Sequence, residues 1–212
     1  MARRKPRSAK TYRRRGEVRE PYDVVLIVCE GKKTEPTYFE GLKRAYRMSG
    51  ANITVVPGDG NDPVSIVKHA IAEYEKDIYD LVFCVFDRDG HANYQQALDM
   101  IAKSASGKNE KLQGITSVPC FEIWVLLHFA YSTAPYMKTG NKSGCDKVID
   151  AVRVHLPEYE KALTGVFERL EPHTNRAVTH ADRLARHNRD TGSDNPATKV
   201  HELVTYLRGL KQ

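Results

Sequence analysis

Leu81-Val82-Phe83-Cys84-Val85-Phe86-Asp87-Arg88-Asp89-Gly90 is the stretch on which the fold turns. Six apolar residues in a row, β-branched or aromatic at four positions, are bounded by Asp80 and Gly90. A strand buried on both faces reads this way, because a parallel sheet covered by helices leaves no face for polar residues. Two aspartates stand at its carboxyl end, at i and i+2. In extended backbone their side chains point the same way, with Cα atoms roughly 6–7 Å apart. Two carboxylates aimed at one point repel unless a cation or a shared proton lies between them. This strand end is a candidate catalytic site.

Working outward, Val-Val-Leu-Ile-Val-Cys at residues 24–29 is a second fully apolar strand, and it too delivers a carboxylate, Glu30, followed by Gly31. After Lys32, Lys33 and Thr34, Pro36 suits the first turn of a helix. That helix carries Tyr38, Phe39, Leu42, Ala45 and Tyr46 on one face. Glu35 and Glu40 are expected on its exposed side. Residues 53–56 form a short strand, and Asp62-Pro63 is a cap and first-turn pair for a helix with Ile66, Val67, Ala70, Ile71 and Tyr74 on one stripe. A helix over 92–104, a strand over 112–118 interrupted by Gly114, and a buried helix over 119–129 follow. Strand–helix alternation with short connections implies right-handed crossovers and a parallel sheet with helices on both faces. Ligands bind such sheets beyond the strand carboxyl ends. Glu30, Asp87 and Asp89 all fall at that edge.

The pattern changes after Tyr131. Residues 146–156, 158–170, 174–188 and 197–210 read as helices, with a turn-rich break over 191–196. The expected organisation is a basic tail over 1–20, an α/β domain over 21–130 and a helical extension over 131–212 packed on it.

The tail carries nine Lys/Arg against two Glu, more than the net +6 of the whole 212-residue chain, so the rest is close to neutral. Arg3, Arg4, Lys5, Arg13, Arg14 and Arg15 are its candidate nucleic-acid contacts, since such a run attracts polyanions by phosphate contact and counterion release. A plain solubility tail is the alternative. No amphipathic apolar face favours a membrane, and no apolar run reaches the roughly 18–20 residues that span one. Basic residues without a following apolar stretch do not make a secretory signal, so a cytoplasmic location is expected. Cys29, Cys84, Cys120 and Cys145 contain no C-x-x-C pair. Three of the four lie in apolar surroundings, where a reduced cysteine behaves as a small hydrophobe, and neither a structural zinc nor a disulfide framework is expected.

Glu30 with Asp87 and Asp89 is the strongest constellation. Oxygen-only donors suit Mg²⁺ or Mn²⁺, which bind phosphate oxygens and retain water. Such an ion polarises a phosphodiester and lowers the pKa of an attacking water. Glu30 is then a general acid/base or a further ligand. Strand-end carboxylates that merely cap helices are the alternative.

Val28-Cys29-Glu30-Gly31-Lys32-Lys33-Thr34-Glu35 followed by Phe86-Asp87-Arg88-Asp89-Gly90 resembles a Toprim domain, whose signature is a strand-end Glu-Gly and a later Asp-x-Asp. With the Arg/Lys-rich start, SVPCFEIWVLLHF and NPATKVHELV, most of the chain resembles the RloB-like family of prokaryotic defence-associated proteins. The resemblance implies a metal-dependent nuclease-like site and a role in abortive infection beside a partner ATPase. It also implies acid/base and metal roles for Glu30, Asp87 and Asp89. Strand passage and primer synthesis would need further domains that are not evident, which favours hydrolysis. A non-catalytic module that binds nucleic acid or protein is the alternative function. A nucleotidyl-transfer enzyme on the same carboxylates is a third.

Glu122 begins the helix after the fourth strand, on the same edge. A carboxylate in an apolar run is costly to bury unless paired or ligated, so metal ligation or support of a ligand is expected, with a helix-cap role as the alternative. Lys32, Lys33, Arg88 and His91 flank the acids, as a phosphate rim or as ordinary charge compensation. Phe121, Trp124 and His128 read as core. His173, His180 and His187 with Arg176, Arg183, Arg186 and Arg189 read as a solvated helix face before a nucleic-acid stripe. DNA against RNA, one ion against two, and monomer against homo-oligomer stay open.

Overall fold

The computed structural model describes residues 23–48, 53–58, 60, 62–76, 78–88, 90–108 and 111–210. Asp89 and the tail arginines and lysine named above lie outside them.

The predicted α/β architecture is present. A five-stranded sheet is built from β1 (Val25–Cys29), β2 (Ile53–Pro57), β3 (Leu81–Asp87), β4 (Leu112–Val118) and β5 (Ala197–Thr198), in the order β2-β1-β3-β4-β5. Neighbours among the first four pair in parallel. Both apolar runs are strands for the reason the sequence suggests: each is packed on both faces. Val25, Ile27, Cys29, Phe83 and Val85 face one core. Leu26, Val28, Val82, Cys84 and Phe86 face the other. Gly114 does not interrupt β4; a Cβ there would come 3.0 Å from Ile101 Cδ1, so the glycine lets the covering helix approach.

The second face is closed by α2 (Pro63–Tyr74) and α3 (Tyr94–Lys108). Asp62 caps α2, accepting from the Val64 and Ser65 N–H groups at 3.1 and 3.3 Å, with Pro63 at the first position. The first face holds α1 (Thr34–Ala45), α4 (Glu122–Leu127), α5 (Gly144–Arg153), α6 (Val166–Leu170), α7 (Thr174–Thr191) and α8 (Val200–Gly209). Tyr38 on α1 is its hub. Its ring meets Phe121, Trp124 and Phe167 edge-on at 5.6, 6.4 and 5.2 Å, locking α1 to both α4 and α6. Among the described residues no helix is long and apolar enough to cross a membrane.

Two details differ from the sequence reading. Residues 197–198 do not start a helix but pair antiparallel with β4 as β5, and two residues carry no periodicity by which to recognise a strand. Within 158–170 only Val166–Leu170 is α-helical. Ala162 and Gly165 are left-handed, with φ of 71° and 73°, and the Ala162 N–H is drawn to Thr34 Oγ1 at 3.0 Å.

Candidate active site

The order β2-β1-β3 means that the chain leaves β1 towards one side of the sheet and returns on the other. A crevice opens between β1 and β3 at such a switch point. Glu30 follows β1 and Asp87 ends β3, so topology alone delivers both to it. The Glu30 N–H donates to Val85 O, continuing the ladder by one bond. Its carboxylate then reaches across: Oε2 accepts the Asp87 N–H at 2.9 Å, and Oε1 lies 2.9 Å from His91 Nε2. Glu30 is thus held from both oxygens.

Beside this pair is a cavity of about 420 Å³ lined by Gly31, Lys32, Lys33, Thr34, Glu35, Asp87, Phe121, Glu122, Lys161 and Ala162. Glu122, predicted at this edge, is there and fully buried. Tyr159 Oη lies 3.5 Å from its Oε1, Lys161 Nζ lies 4.0 Å from the same oxygen, and Cys145 Sγ lies 3.4 Å from Oε2. Glu35 is also buried and lines the cavity, against the expectation of an exposed helix face. It sits in the first turn of α1 and folds back over Gly31, so closely that a Cβ on Gly31 would come 2.0 Å from Glu35 Oε2. The apolar pattern of α1 hides this residue. The signal available was its distance of five positions from Glu30 across the Gly31 turn.

Charge defines the site. Burial raises the Asp87 carboxyl well above the usual range, and Glu35, Glu122 and Glu30 raise it further, while the Phe121 backbone N–H pulls the other way. Burial, then Glu122 and Glu30, push Glu35 up to about 7, against its own backbone hydrogen bond and Lys161. Four acids from β1, α1, β3 and α4 therefore share one poorly solvated region. Among the described residues no three of them bring ligand atoms within 4.8 Å of one another; the group that does so is Cys120, Glu122 and Cys145.

Hard oxygen donors whose charged forms are disfavoured by burial and by each other fit a divalent cation, which would relieve both penalties. Asp87, Glu35 and Glu122 are the donors that face the cavity. Glu30, with both oxygens engaged, is better placed to move a proton.

The remaining predicted residues separate into four groups. Lys32 and Lys33 are exposed and line the cavity rim. Lys161, which sequence reasoning missed, joins them from a loop more than a hundred residues away in sequence, a juxtaposition no local pattern encodes. Arg88 turns away and pairs with Asp194, while His91 is spent on Glu30. Phe121, Trp124 and His128 are core, and burial lowers His128 to about 4 while its Nδ1 meets Trp124 O at 2.9 Å. His180 is half-buried with Nδ1 2.8 Å from Leu127 O, and Arg183 stacks over Tyr131 at 4.1 Å. The stripe on α7 is partly structural.

The cysteines depart from expectation. Cys29 and Cys84 are free and buried, but Cys120 and Cys145 are disulfide-bonded, with Cα atoms 5.7 Å apart. Residues 25 apart in sequence meet because the first turn of α5 packs on the β4–α4 junction, which a search for C-x-x-C spacing cannot detect.

A family model described as RloB-like protein matches residues 25–207. No curated protein and no solved structure matches the chain.

Proposed function

The chain belongs to the RloB-like protein family, and from that premise we propose that it is a divalent-metal-dependent nuclease of Toprim type. The observation that carries this reading is the meeting of Glu30 and Asp87 at the β1–β3 switch point, with Glu35 and Glu122 completing an acidic cavity.

Asp87, Glu35 and Glu122, together with Asp89 two positions further along the sequence, would hold Mg²⁺ or Mn²⁺. When bound, the ion supplies charge neutralisation at the phosphate oxygens and a more acidic water. The chain's own groups do the rest. Lys32, Lys33 and Lys161 on the rim draw a phosphate into the cavity and orient it. Glu30, fixed by the Asp87 N–H and His91, takes or returns the proton of the attacking or leaving oxygen. The buried wall of Phe121 limits bulk water, which strengthens each of these interactions.

The setting follows from the family resemblance. Nucleic acid, DNA or RNA, is the substrate, and the enzyme works in the cytoplasm in defence against phage, beside a partner ATPase. The tail residues Arg3, Arg4, Lys5, Arg13, Arg14 and Arg15 add non-specific affinity for the polyanion.

The test is direct. Purified full-length protein is incubated with single-stranded DNA, duplex DNA and RNA, with Mg²⁺, Mn²⁺ or EDTA. Cleavage is expected only with a divalent ion, and Asp87→Asn is expected to abolish it. Cleavage that persists in EDTA, or in Asp87→Asn, removes the proposal. Phage protection retained in full by Asp87→Asn would mark the non-catalytic alternative.

A further inference from the structure

Cys145 Sγ stands 3.4 Å from Glu122 Oε2, and Cys120, Glu122 and Cys145 form one buried cluster in which every ligand atom lies within 4.8 Å of the others. A thiol at that distance donates a weak S–H hydrogen bond to a carboxylate. A disulfide sulfur has no proton to give and presents only lone pairs to the same oxygen. The two oxidation states of this pair therefore differ in what they do for Glu122. Glu122 faces the acidic cavity, so the difference is transmitted to the site without any movement of the fold.

Position reinforces the coupling. Cys120 immediately precedes Phe121, whose backbone N–H bears on Asp87, and Glu122 follows at the first position of α4. Cys145 lies in the first turn of α5. The bond thus joins the strand-end segment that carries two site groups to the helical part that closes over it. Its Cα separation of 5.7 Å is the ordinary spacing of a bridged pair, so opening and closing need little backbone change.

We propose that Cys120 and Cys145 form a redox-reversible dithiol/disulfide pair that sets the hydrogen bonding of Glu122 and, through it, the cation affinity of the site. The last clause rests on the metal-site reading above. Closure by a peroxide is balanced as two thiols plus H₂O₂ giving one S–S bond and two waters. Two electrons pass from the sulfurs to the peroxide and both thiol protons leave in the water. A dithiol reductant reverses it through a mixed disulfide.

Two measurements on the full chain decide the pair itself. Native protein treated with dithiothreitol or with hydrogen peroxide is denatured and alkylated with N-ethylmaleimide. Mass spectrometry should count all four cysteines after reduction, and only Cys29 and Cys84 after peroxide. Reduced-minus-oxidised infrared difference spectra should show a carboxylate band that vanishes in Glu122→Gln. Cys120→Ser, which keeps the Cys145 thiol, should show neither change. Unchanged labelling, stoichiometric bound zinc that protects the thiols, or a difference spectrum without a Glu122 band overturns the proposal.

Mn²⁺ titration of both states then tests the coupling. Oxidation removes a donor from Glu122, so the oxidised form should bind Mn²⁺ roughly three- to tenfold more tightly, the size of one modest hydrogen bond. Equal affinities overturn the coupling. Binding in neither state, with the Glu122 band present, removes the metal-site reading and leaves the redox pair standing.

Discussion

The Glu30 carboxylate accepts the backbone N–H of Asp87 at 2.9 Å, linking residues 57 apart in sequence. A side chain from the end of one central strand thereby fixes the backbone of the next at the point where its aspartate emerges. The bond orients both groups and makes the site a property of the sheet rather than of mobile loops.

Asp87→Asn should separate stability from activity. It removes a carboxyl whose charged form is opposed by burial and by Glu35, Glu122 and Glu30. Cleavage should be lost, while the melting temperature of metal-free protein at pH 8 rises or holds. A fall in melting temperature would show that the charge is already compensated within the protein.

Glu35 should make metal-free stability depend on pH. Its carboxyl titrates at about 7 in the folded protein, against roughly 4.3 unfolded. The folded state binds the proton more tightly, so stability is highest below the unfolded value and falls as pH rises towards 7. The penalty, about 4 kcal/mol, is complete above that. Glu35→Gln should flatten the melting-temperature profile between about pH 5 and 8. Mn²⁺ should raise the wild-type melting temperature more at pH 8 than at pH 5.5.

Gly31→Ala is a scalpel for Glu35. The new Cβ would stand 2.0 Å from Glu35 Oε2, and the far end of the side chain can swing away. Stability should change by about 1 kcal/mol or less, while Mn²⁺ affinity and cleavage fall together. An unaltered affinity would remove Glu35 from the cation site.

His91→Ala removes the imidazole contact at Glu30 Oε1 without touching the Asp87 bond. A lost partner of this kind costs about ten- to a hundredfold in activity. The measurement is kcat against pH, because a positioning role should move the profile as well as lower it. His91→Gln, which can still donate, should recover part of the rate.

Arg88 and Asp194 give a paired test of the rim. They form an exposed ion pair, worth about 1 kcal/mol at most. If Arg88 serves only Asp194, Arg88→Ala and Asp194→Ala behave alike in nucleic-acid binding. If it contacts phosphate, Arg88→Ala weakens binding and Asp194→Ala strengthens it, as read by filter binding at two salt concentrations.

The apolar runs before Glu30 and Asp87 were legible as buried parallel strands because two covered faces leave no room for polar alternation. Their carboxylates were legible as neighbours because a parallel sheet puts every strand's carboxyl end on one edge. Glu122 was legible by the cost of burying an acid among Phe121, Ile123 and Trp124. Glu35 was not, since it precedes the apolar stripe of α1 and the turn at Gly31, not helical periodicity, sends it inward.

The sequence by itself determined the sheet, the edge of it where the acids gather, and Glu30, Asp87 and Glu122 as acids at that edge, because strand burial and chain direction are local properties written in residue order. Only the tertiary structure decided that Glu35 and Lys161 share the cavity, that Arg88 answers to Asp194, that Ala197–Thr198 extends the sheet and that Cys120 meets Cys145. Those meetings depend on how α1, α5, the 154–165 loop and the segment between α7 and α8 pack on the sheet. Packing is decided by shape and buried area between segments distant in the chain, which no window along it contains.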